Sequence, residues 1–205
     1  MKLLTELEQF AHEAYVPIMR KDTRAVMESV LKKLQPKHIL EVGTAIGYSA
    51  IVMLSVCPEA TLVGIEHLHC RHAQAEENLK KAGMSDRAQI ARADVTEFLA
   101  SCEDKFDFVF LDGPKGQYAK LLALIAPRLA EKSVIFSDNL AFDGRVEAVR
   151  AEGLSAIPRK HRAAVKGLIE YVDTIQKEPY YTSFYEVGDG IAVTATTPDL
   201  LTEIL

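Results

Sequence analysis

The sequence lacks the features that mark several classes of protein. Its 205 residues contain no apolar run near the roughly 20 residues that cross a bilayer. Its three cysteines form no Cys-x-x-Cys pair, and its six histidines form no His-x-x-x-His pair. These absences argue against a membrane-spanning protein, a disulfide scaffold and a zinc centre. The formal net charge of −5 also argues against broad nonspecific binding of nucleic acid.

The amino-terminal stretch lacks the apolar core of a signal peptide, because Glu6 and Glu8 lie where that core would be. Since the cysteines also suit a reducing compartment, we expect a cytoplasmic protein. A chain of this length can bury about 70% of its unfolded surface as one domain. We therefore predict a single domain over residues 1–205, with N-terminal helices or a lid over 1–36 and the core over 37–205.

The stretch from His38 to Ser49 predicts a buried strand, a glycine-hinged turn and a helix. Its spacing, Gly43-x-x-x-Gly47, differs from Gly-x-Gly-x-x-Gly and lacks the Gly-Lys-Ser/Thr ending of phosphate-binding loops. Glu41 beside the turn would repel phosphate. The pattern indicates a nucleoside ligand without a phosphate chain, and an ordinary strand-to-helix connection is the alternative.

Apolar strands and helices alternate along the chain, which predicts an α/β protein. We expect a Rossmann-like doubly wound sheet of seven strands, mostly parallel with an antiparallel C-terminal hairpin, and helices on both faces. Between the strands, the pattern predicts a helix over 118–130 that bends near Pro127, a loop over 140–157 and a long helix over 158–176. The predicted strands lie near 39–42, 61–65, 88–91, 106–111, 133–137, 181–187 and 191–196.

Acidic side chains follow two further strands. Glu66 lies about 20 residues beyond the first glycine of the turn, where an acid accepts hydrogen bonds from ribose in a Rossmann-like sheet. Asp94 precedes a predicted helix. We expect Asp94 to cap this helix, to contact a bound base, or to do both.

Oxygen-bearing side chains come at the ends of the fourth and fifth strands. Asp112 follows the fourth strand, and Asp138 and Asn139 follow the fifth. Two carboxylates and an amide suit a hard cation such as Mg²⁺, although Asp-Asn is also a common turn sequence. Lys115 lies close enough in sequence to share this site as a proton acceptor, and an exposed loop lysine is the alternative.

These motifs, in this order, resemble the cation-dependent O-methyltransferases that include the catechol and caffeoyl-CoA enzymes. The segments 12–19, 43–47, 112–118, 158–166 and 187–190 most resemble the bacterial tRNA 5-hydroxyuridine methyltransferases. That resemblance implies methylation of 5-hydroxyuridine at the tRNA wobble position to give 5-methoxyuridine. A catechol-type O-methyltransferase of small molecules is one alternative, and a noncatalytic nucleoside-binding module is another.

The resemblance also implies the ligands and the residues that bind them. S-adenosylmethionine and Mg²⁺, or another hard cation such as Mn²⁺, are the implied cofactors. Asp112, Asp138 and Asn139 would bind the metal, with Lys115 and Asp112 as catalytic residues. The implied contacts with S-adenosylmethionine are Met19, Glu41, Gly43, Thr44, Ser49, Glu66, Asp94, Val95, Asp112 and Tyr118.

Partners follow from the charges and from the resemblance. Clustered basic residues could contact anticodon-loop phosphates, and a solvated helix face is the alternative. Relatives are often dimers, so we expect a homodimer, and we expect no membrane partner. The basic residues assigned to RNA are Arg20, Lys21, Arg24, Arg159, Lys160, Arg162 and Lys166.

Overall fold

The fold is that of a computed structural model, and the structure describes residues 2–205. They form two compact units, one ending at Cys102 and the other beginning at Glu103. The prediction of a single domain stays a prediction. No helix among residues 2–205 combines the length and the apolar character needed to cross a membrane.

Within residues 2–102, the first unit has a parallel three-stranded sheet in the order β3-β2-β1. Apolar side chains of β1, including Ile39, Leu40 and Val42, are almost completely buried, as expected for a strand covered on both faces. The strands are β1 (His38–Val42), β2 (Thr61–Ile65) and β3 (Ala88–Ala91). The helices are α1 (Lys2–Glu13), α2 (Lys21–Leu34), α3 (Tyr48–Val56), α4 (His69–Lys81) and α5 (Val95–Ser101).

Within residues 103–205, the second unit has four strands in the order β4-β5-β7-β6. β4 and β5 are parallel, whereas β7 pairs antiparallel with both β5 and β6. The strands are β4 (Phe106–Leu111), β5 (Leu129–Ser137), β6 (Tyr181–Tyr185) and β7 (Ile191–Ala195). The helices are α6 (Tyr118–Ile125), α7 (Arg145–Glu152), α8 (Arg162–Ile175) and α9 (Pro198–Ile204).

The predicted fold class is confirmed. The described residues supply the seven strands of a mostly parallel sheet, and the chain ends in an antiparallel hairpin followed by α9. Burial explains the sheet: the β4 side chains Phe108, Val109 and Phe110 are at most 1% exposed. Such strands read in the sequence as continuous apolar runs.

Some predicted boundaries are wrong. The predicted loop over 140–157 contains α7, and the predicted helix over 158–176 begins only at Arg162, after a 3-10 turn over Arg159–His161. The predicted helix over 118–130 ends at Ile125, because Pro127 cannot donate a backbone hydrogen bond, and β5 already begins at Leu129. α9 was not predicted, although Thr197 caps it through a 3.3 Å hydrogen bond from the backbone amide of Leu200.

Candidate functional site

The glycine turn, residues 43–47, connects β1 to α3 through backbone conformations that favour glycine. Gly43 and Gly47 have φ values of +95° and +81°. The amides of Gly43 and Thr44 both donate to the carbonyl of Ile65 at the end of β2, at 3.1 and 3.2 Å. The turn is therefore fixed to the neighbouring strand by the protein's own backbone.

Buried polar side chains lie in and beneath this turn. Glu41 is fully buried at the end of β1, and the Ser49 hydroxyl donates to its carboxylate. The Thr44 hydroxyl is also buried, and among residues 2–205 it has no hydrogen-bond partner. Because a buried hydroxyl without a partner is costly, Thr44 is a natural point of contact for a polar ligand at the turn.

Glu66 ties the end of β2 to the glycine turn. Its two carboxylate oxygens accept hydrogen bonds from the backbone amides of Ala45 at 3.0 Å and Leu68 at 2.8 Å. A carboxylate oxygen can accept more than one hydrogen bond, so these bonds leave room for the predicted ribose contact. That contact stays a prediction, while the structure shows that Glu66 shapes the turn.

Three other residues of the first unit were predicted to contact S-adenosylmethionine, and the structure places each of them at or beside a helix. Asp94 caps α5 by accepting hydrogen bonds from the amides of Thr96 and Glu97, which confirms the capping part of its prediction. Val95 is buried at the start of that helix, and Met19 is 4% exposed just before α2. Direct contact of Met19, Asp94 and Val95 with a ligand stays a prediction.

In the second unit, Asp112 and Asp138 form an acidic pair at the carboxyl ends of the parallel strands β4 and β5. Asp138 is buried, and about a quarter of the Asp112 side chain is exposed. Lys115 lies in a 3-10 turn, Lys115–Gln117, directly after Asp112, and its Nζ donates to Asp112 Oδ1 at 2.6 Å. The predicted meeting of Asp112, Lys115 and Asp138 on one edge of the sheet is thus present within this unit.

Burial raises the pKa values of both acids of the pair. Burial, followed by the charge of Asp112, raises the pKa of Asp138 to about 7. Burial also raises the pKa of Asp112, although the charge of Lys115 opposes the shift. When both carboxyl groups are ionised, their two negative charges exceed the single positive charge of the nearby Lys115.

This charge balance fits a divalent cation. Carboxylate oxygens are the ligands that Mg²⁺ and Mn²⁺ prefer, and Asn139, next in sequence, offers an amide oxygen. Residues 2–205 hold no group of three or more His, Cys, Asp and Glu side chains placed to bind a metal. Binding of a cation by Asp112, Asp138 and Asn139 stays a prediction, and such a site would need water or ligand oxygens to complete its coordination.

Tyr118, which was predicted to contact S-adenosylmethionine, is completely buried at the start of α6. Its hydroxyl donates toward the carbonyls of Leu111 at 3.0 Å and Asp138 at 3.1 Å, and it lies 3.2 Å from Lys115 Nζ. The hydroxyl thus bridges the ends of β4 and β5. Contact between Tyr118 and a ligand stays a prediction, but what the structure shows is a link between the two acidic strand ends.

Tyr171 and Ser137 belong to the same region, although no sequence motif indicates it. The hydroxyls of Tyr171, in α8, and Ser137, at the end of β5, hydrogen-bond at 2.5 Å. In the sequence, Tyr171 is only one position of the helix predicted over 158–176. Its partner could not be identified without the tertiary structure.

The basic residues near α2 are largely engaged within the first unit. Arg24 donates to Glu28 at 2.7 Å and to the Tyr48 hydroxyl at 3.1 Å, and Lys21 pairs with Glu8 at 3.0 Å. Arg20 is exposed. Because Arg24 is held by these contacts, its predicted role in RNA binding is less favoured than that of an exposed cation.

The basic residues near α8 are more accessible. Arg159, Lys160 and Lys166 are exposed, whereas Arg162 is partly buried and its Nε donates to the carbonyl of Ile157 at 3.4 Å. Three of the four cations at the start of α8 are therefore available for an anionic partner, and RNA binding here stays a prediction.

Comparison with known proteins fits this arrangement of strand ends. Residues 40–140, from β1 to the turn after β5, match the family described as "Methyltransferase domain". A solved structure of a candidate caffeoyl-CoA O-methyltransferase from Staphylococcus aureus superimposes with a TM-score of 0.85 at 26% identity, over 94% of this chain and 91% of that one. In fold and in sequence, the chain is thus similar to O-methyltransferases of the catechol and caffeoyl-CoA type.

Two further O-methyltransferases show how far the similarity in sequence and in fold extends along the chain. A catechol O-methyltransferase from Niastella koreensis is 30% identical over 117 residues, which cover 55% of this chain and 53% of that enzyme. The match thus spans about half of the length of this relative. An O-methyltransferase structure from Bacillus cereus in complex with SAH has a TM-score of 0.80 at 18% identity, over 96% of this chain and 91% of that one, and it supports the fold alone.

Proposed function

We propose that this chain transfers the methyl group of S-adenosylmethionine to one of two adjacent oxygens on its acceptor, with the help of a divalent cation. The observation that carries the proposal is the acidic pair at the ends of β4 and β5, with Lys115 at 2.6 Å from Asp112. A noncatalytic nucleoside-binding module would have no need of this group.

The methyl donor is assigned to the glycine turn of the first unit. A positively charged sulfonium ligand suits a turn beside Glu41 and Glu66 better than a phosphate does, since both side chains are carboxylates. The buried Thr44 hydroxyl offers a hydrogen bond that the described residues do not use. Together these residues account for donor binding without a phosphate-binding motif.

The acceptor is assigned to the acidic pair. Asp112, Asp138 and Asn139 would hold a divalent cation, which would supply the Lewis acidity that lowers the pKa of an acceptor hydroxyl. Lys115, in its neutral form, would accept the hydroxyl proton. The acceptor oxygen then forms a bond to the methyl carbon while the bond from carbon to sulfur breaks, so the sulfonium becomes a neutral thioether.

A small catechol-type molecule is the acceptor that the observations favour. The two adjacent oxygens of a catechol would both be available to a cation, and one of them would serve as the nucleophile. The relative from Niastella koreensis is named a catechol O-methyltransferase. The internal pairing of Arg24 and Lys21 with acidic residues reduces the positive charge available for RNA near α2.

The wobble 5-hydroxyuridine of tRNA is the second candidate acceptor. Its 5-hydroxyl and 4-carbonyl oxygens are adjacent, so they could share a cation as the oxygens of catechol do. The exposed Arg159, Lys160 and Lys166 are the specific observation in its favour, since cations of this kind bind phosphates. A homodimer and a cytoplasmic location stay predictions.

A transfer assay with matched acceptors tests the proposed function. The purified protein is incubated with labelled S-adenosylmethionine and Mg²⁺, together with catechol, phenol, tRNA containing 5-hydroxyuridine, or the same tRNA with uridine. We expect label on catechol and none on phenol, because phenol lacks the second oxygen. Label on the hydroxyuridine tRNA alone would transfer the proposal to RNA, and label on none of the four acceptors would contradict it.

A further inference from the structure

We propose that Gly167 and Tyr171 of α8 are positioning residues, which set the placement of the acidic pair and thereby its affinity for a divalent cation. The inference rests on the proposed function, because it concerns the same pair. The two residues lie four positions apart and therefore on one face of the helix. From that face, each supports a different strand end.

Gly167 supports the segment after β4. A Cβ atom added to Gly167 would lie 2.4 Å from the carbonyl oxygen of Gly116, 2.7 Å from its carbonyl carbon and 2.9 Å from its Cα. All three are backbone atoms of the 3-10 turn that carries Lys115. The helix thus packs against that turn backbone to backbone, and only glycine at position 167 permits the approach.

Tyr171 supports the end of β5. Its hydroxyl hydrogen-bonds to Ser137, the residue that precedes Asp138. Its ring packs edge to face on Tyr118, with centroids 5.3 Å apart and planes at 82°. Tyr118 in turn bridges the carbonyls of Leu111 and Asp138.

α8 therefore contacts both segments that carry the acidic pair, and Tyr118 lies between them. Mg²⁺ demands near-ideal octahedral geometry, so a small displacement of one carboxylate lowers its affinity. Residues that orient metal ligands from behind commonly affect metal binding in this way. The sequence shows α8 only as an amphipathic helix, but the structure assigns one of its faces to the acidic pair.

The test compares two glycine substitutions on opposite sides of the same contact. Gly167→Ala forces the turn over Lys115–Gln117 to move. In Gly116→Ala the nearest atom to the new Cβ is Ala164 Cα at 3.4 Å, an ordinary van der Waals distance. Mn²⁺ binding is measured by electron paramagnetic resonance on the purified protein without acceptor, and S-adenosylmethionine binding is measured by calorimetry.

We expect Gly167→Ala to bind Mn²⁺ about tenfold more weakly or worse, and Gly116→Ala to stay within about twofold of the wild type. Binding of S-adenosylmethionine should stay within about twofold in both variants. A general loss of structure would instead weaken both ligands. Wild-type affinity for Mn²⁺ in a folded Gly167→Ala variant would overturn the inference and leave the proposed function standing.

Tyr171→Phe keeps the ring against Tyr118 and removes only the hydroxyl that contacts Ser137, so it tests the inference even if Gly167→Ala does not fold. We expect a loss of about threefold to tenfold in Mn²⁺ affinity with unchanged binding of S-adenosylmethionine. Unchanged Mn²⁺ affinity would contradict the role of Tyr171. A wild-type protein that binds no Mn²⁺ would contradict the proposed function itself, and the inference with it.

Discussion

Asp138 is the residue whose protonation provides the most direct test of the proposed chemistry. It is 3% exposed, and burial and the neighbouring Asp112 raise its pKa to about 7. In the unfolded chain an aspartate has a pKa of about 3.9. Without a cation, the folded protein therefore holds a proton on Asp138 over a range of pH in which the unfolded chain has released it.

This difference predicts how stability changes with pH. Between about pH 4 and pH 7 the folded state binds more protons than the unfolded state, so the contribution of Asp138 to stability falls as the pH rises. We expect the free energy of unfolding of the cation-free protein to lose on the order of 1–3 kcal/mol across this window through Asp138. Urea denaturation at a series of pH values measures it.

The matched control for this titration is Asp138→Asn, which keeps the shape of the side chain and removes its proton. The pH-dependent loss should be smaller in Asp138→Asn than in the wild type by the contribution of Asp138. Saturating Mg²⁺ should reduce the same loss in the wild type. An identical dependence on pH in both proteins would show that Asp138 does not have a raised pKa.

Single residues also show what the sequence could and could not reveal. Asp94 as a helix cap and Asp112 and Asp138 at strand ends follow from local pattern, because caps and strand ends are encoded nearby in the chain. The internal pairing of Arg24 with Glu28 and Tyr48 joins positions up to 24 residues apart. Because such tertiary partners are not visible in the sequence, Arg24 was predicted to be available for RNA phosphates.

At the scale of elements, the turn between β1 and α3 depends on a glycine in the neighbouring strand. A Cβ added to Gly64 in β2 would lie 2.4 Å from the Thr44 hydroxyl oxygen and 2.7 Å from Ile90 Cδ1. The absence of a side chain at Gly64 thus leaves room for Thr44 in the glycine turn. In the sequence, Gly64 is only one position of the strand predicted over 61–65, and its contact with Thr44 is visible only in the structure.

Gly64→Ala is expected to weaken binding of S-adenosylmethionine by about tenfold, because it displaces Thr44, and to cost about 1–3 kcal/mol of stability through overpacking. Calorimetry and denaturation measure the two effects. Gly83→Ala is the matched control: a Cβ there meets no atom within 4 Å, but the φ of +69° strains an alanine. Equal affinity for the donor in Gly64→Ala and Gly83→Ala would contradict the role given to Thr44.

The elements that were predicted incorrectly share a physical cause. α7 is short, and Val146 is its only buried residue, so its sequence carries little helical periodicity. The early end of α6 and the late start of α8 both involve 3-10 turns next to proline. β4 is a continuous apolar run and was predicted with the correct limits, whereas β5 begins at Leu129, four residues before its predicted start, because its first four residues are only partly buried or exposed.

At the scale of the whole molecule, fold and charge bear on different parts of the proposal. The fold is shared with O-methyltransferases of known structure, but one fold serves many substrates, so the acceptor must be argued from the acidic pair and its surroundings. The net charge of −5 disfavours a large anionic partner unless local cations, such as those at the start of α8, bind it.

The measurement that tests the account most directly is the Mg²⁺ dependence of methyl transfer. Initial rates of transfer from labelled S-adenosylmethionine to catechol are recorded over a series of Mg²⁺ concentrations, with EDTA, for the wild type and Asp138→Asn. We predict a rate that saturates with Mg²⁺, falls to background with EDTA, and is about a hundredfold lower or worse in Asp138→Asn with donor binding retained. A wild-type rate that EDTA leaves intact, matched by Asp138→Asn, would contradict the central claim.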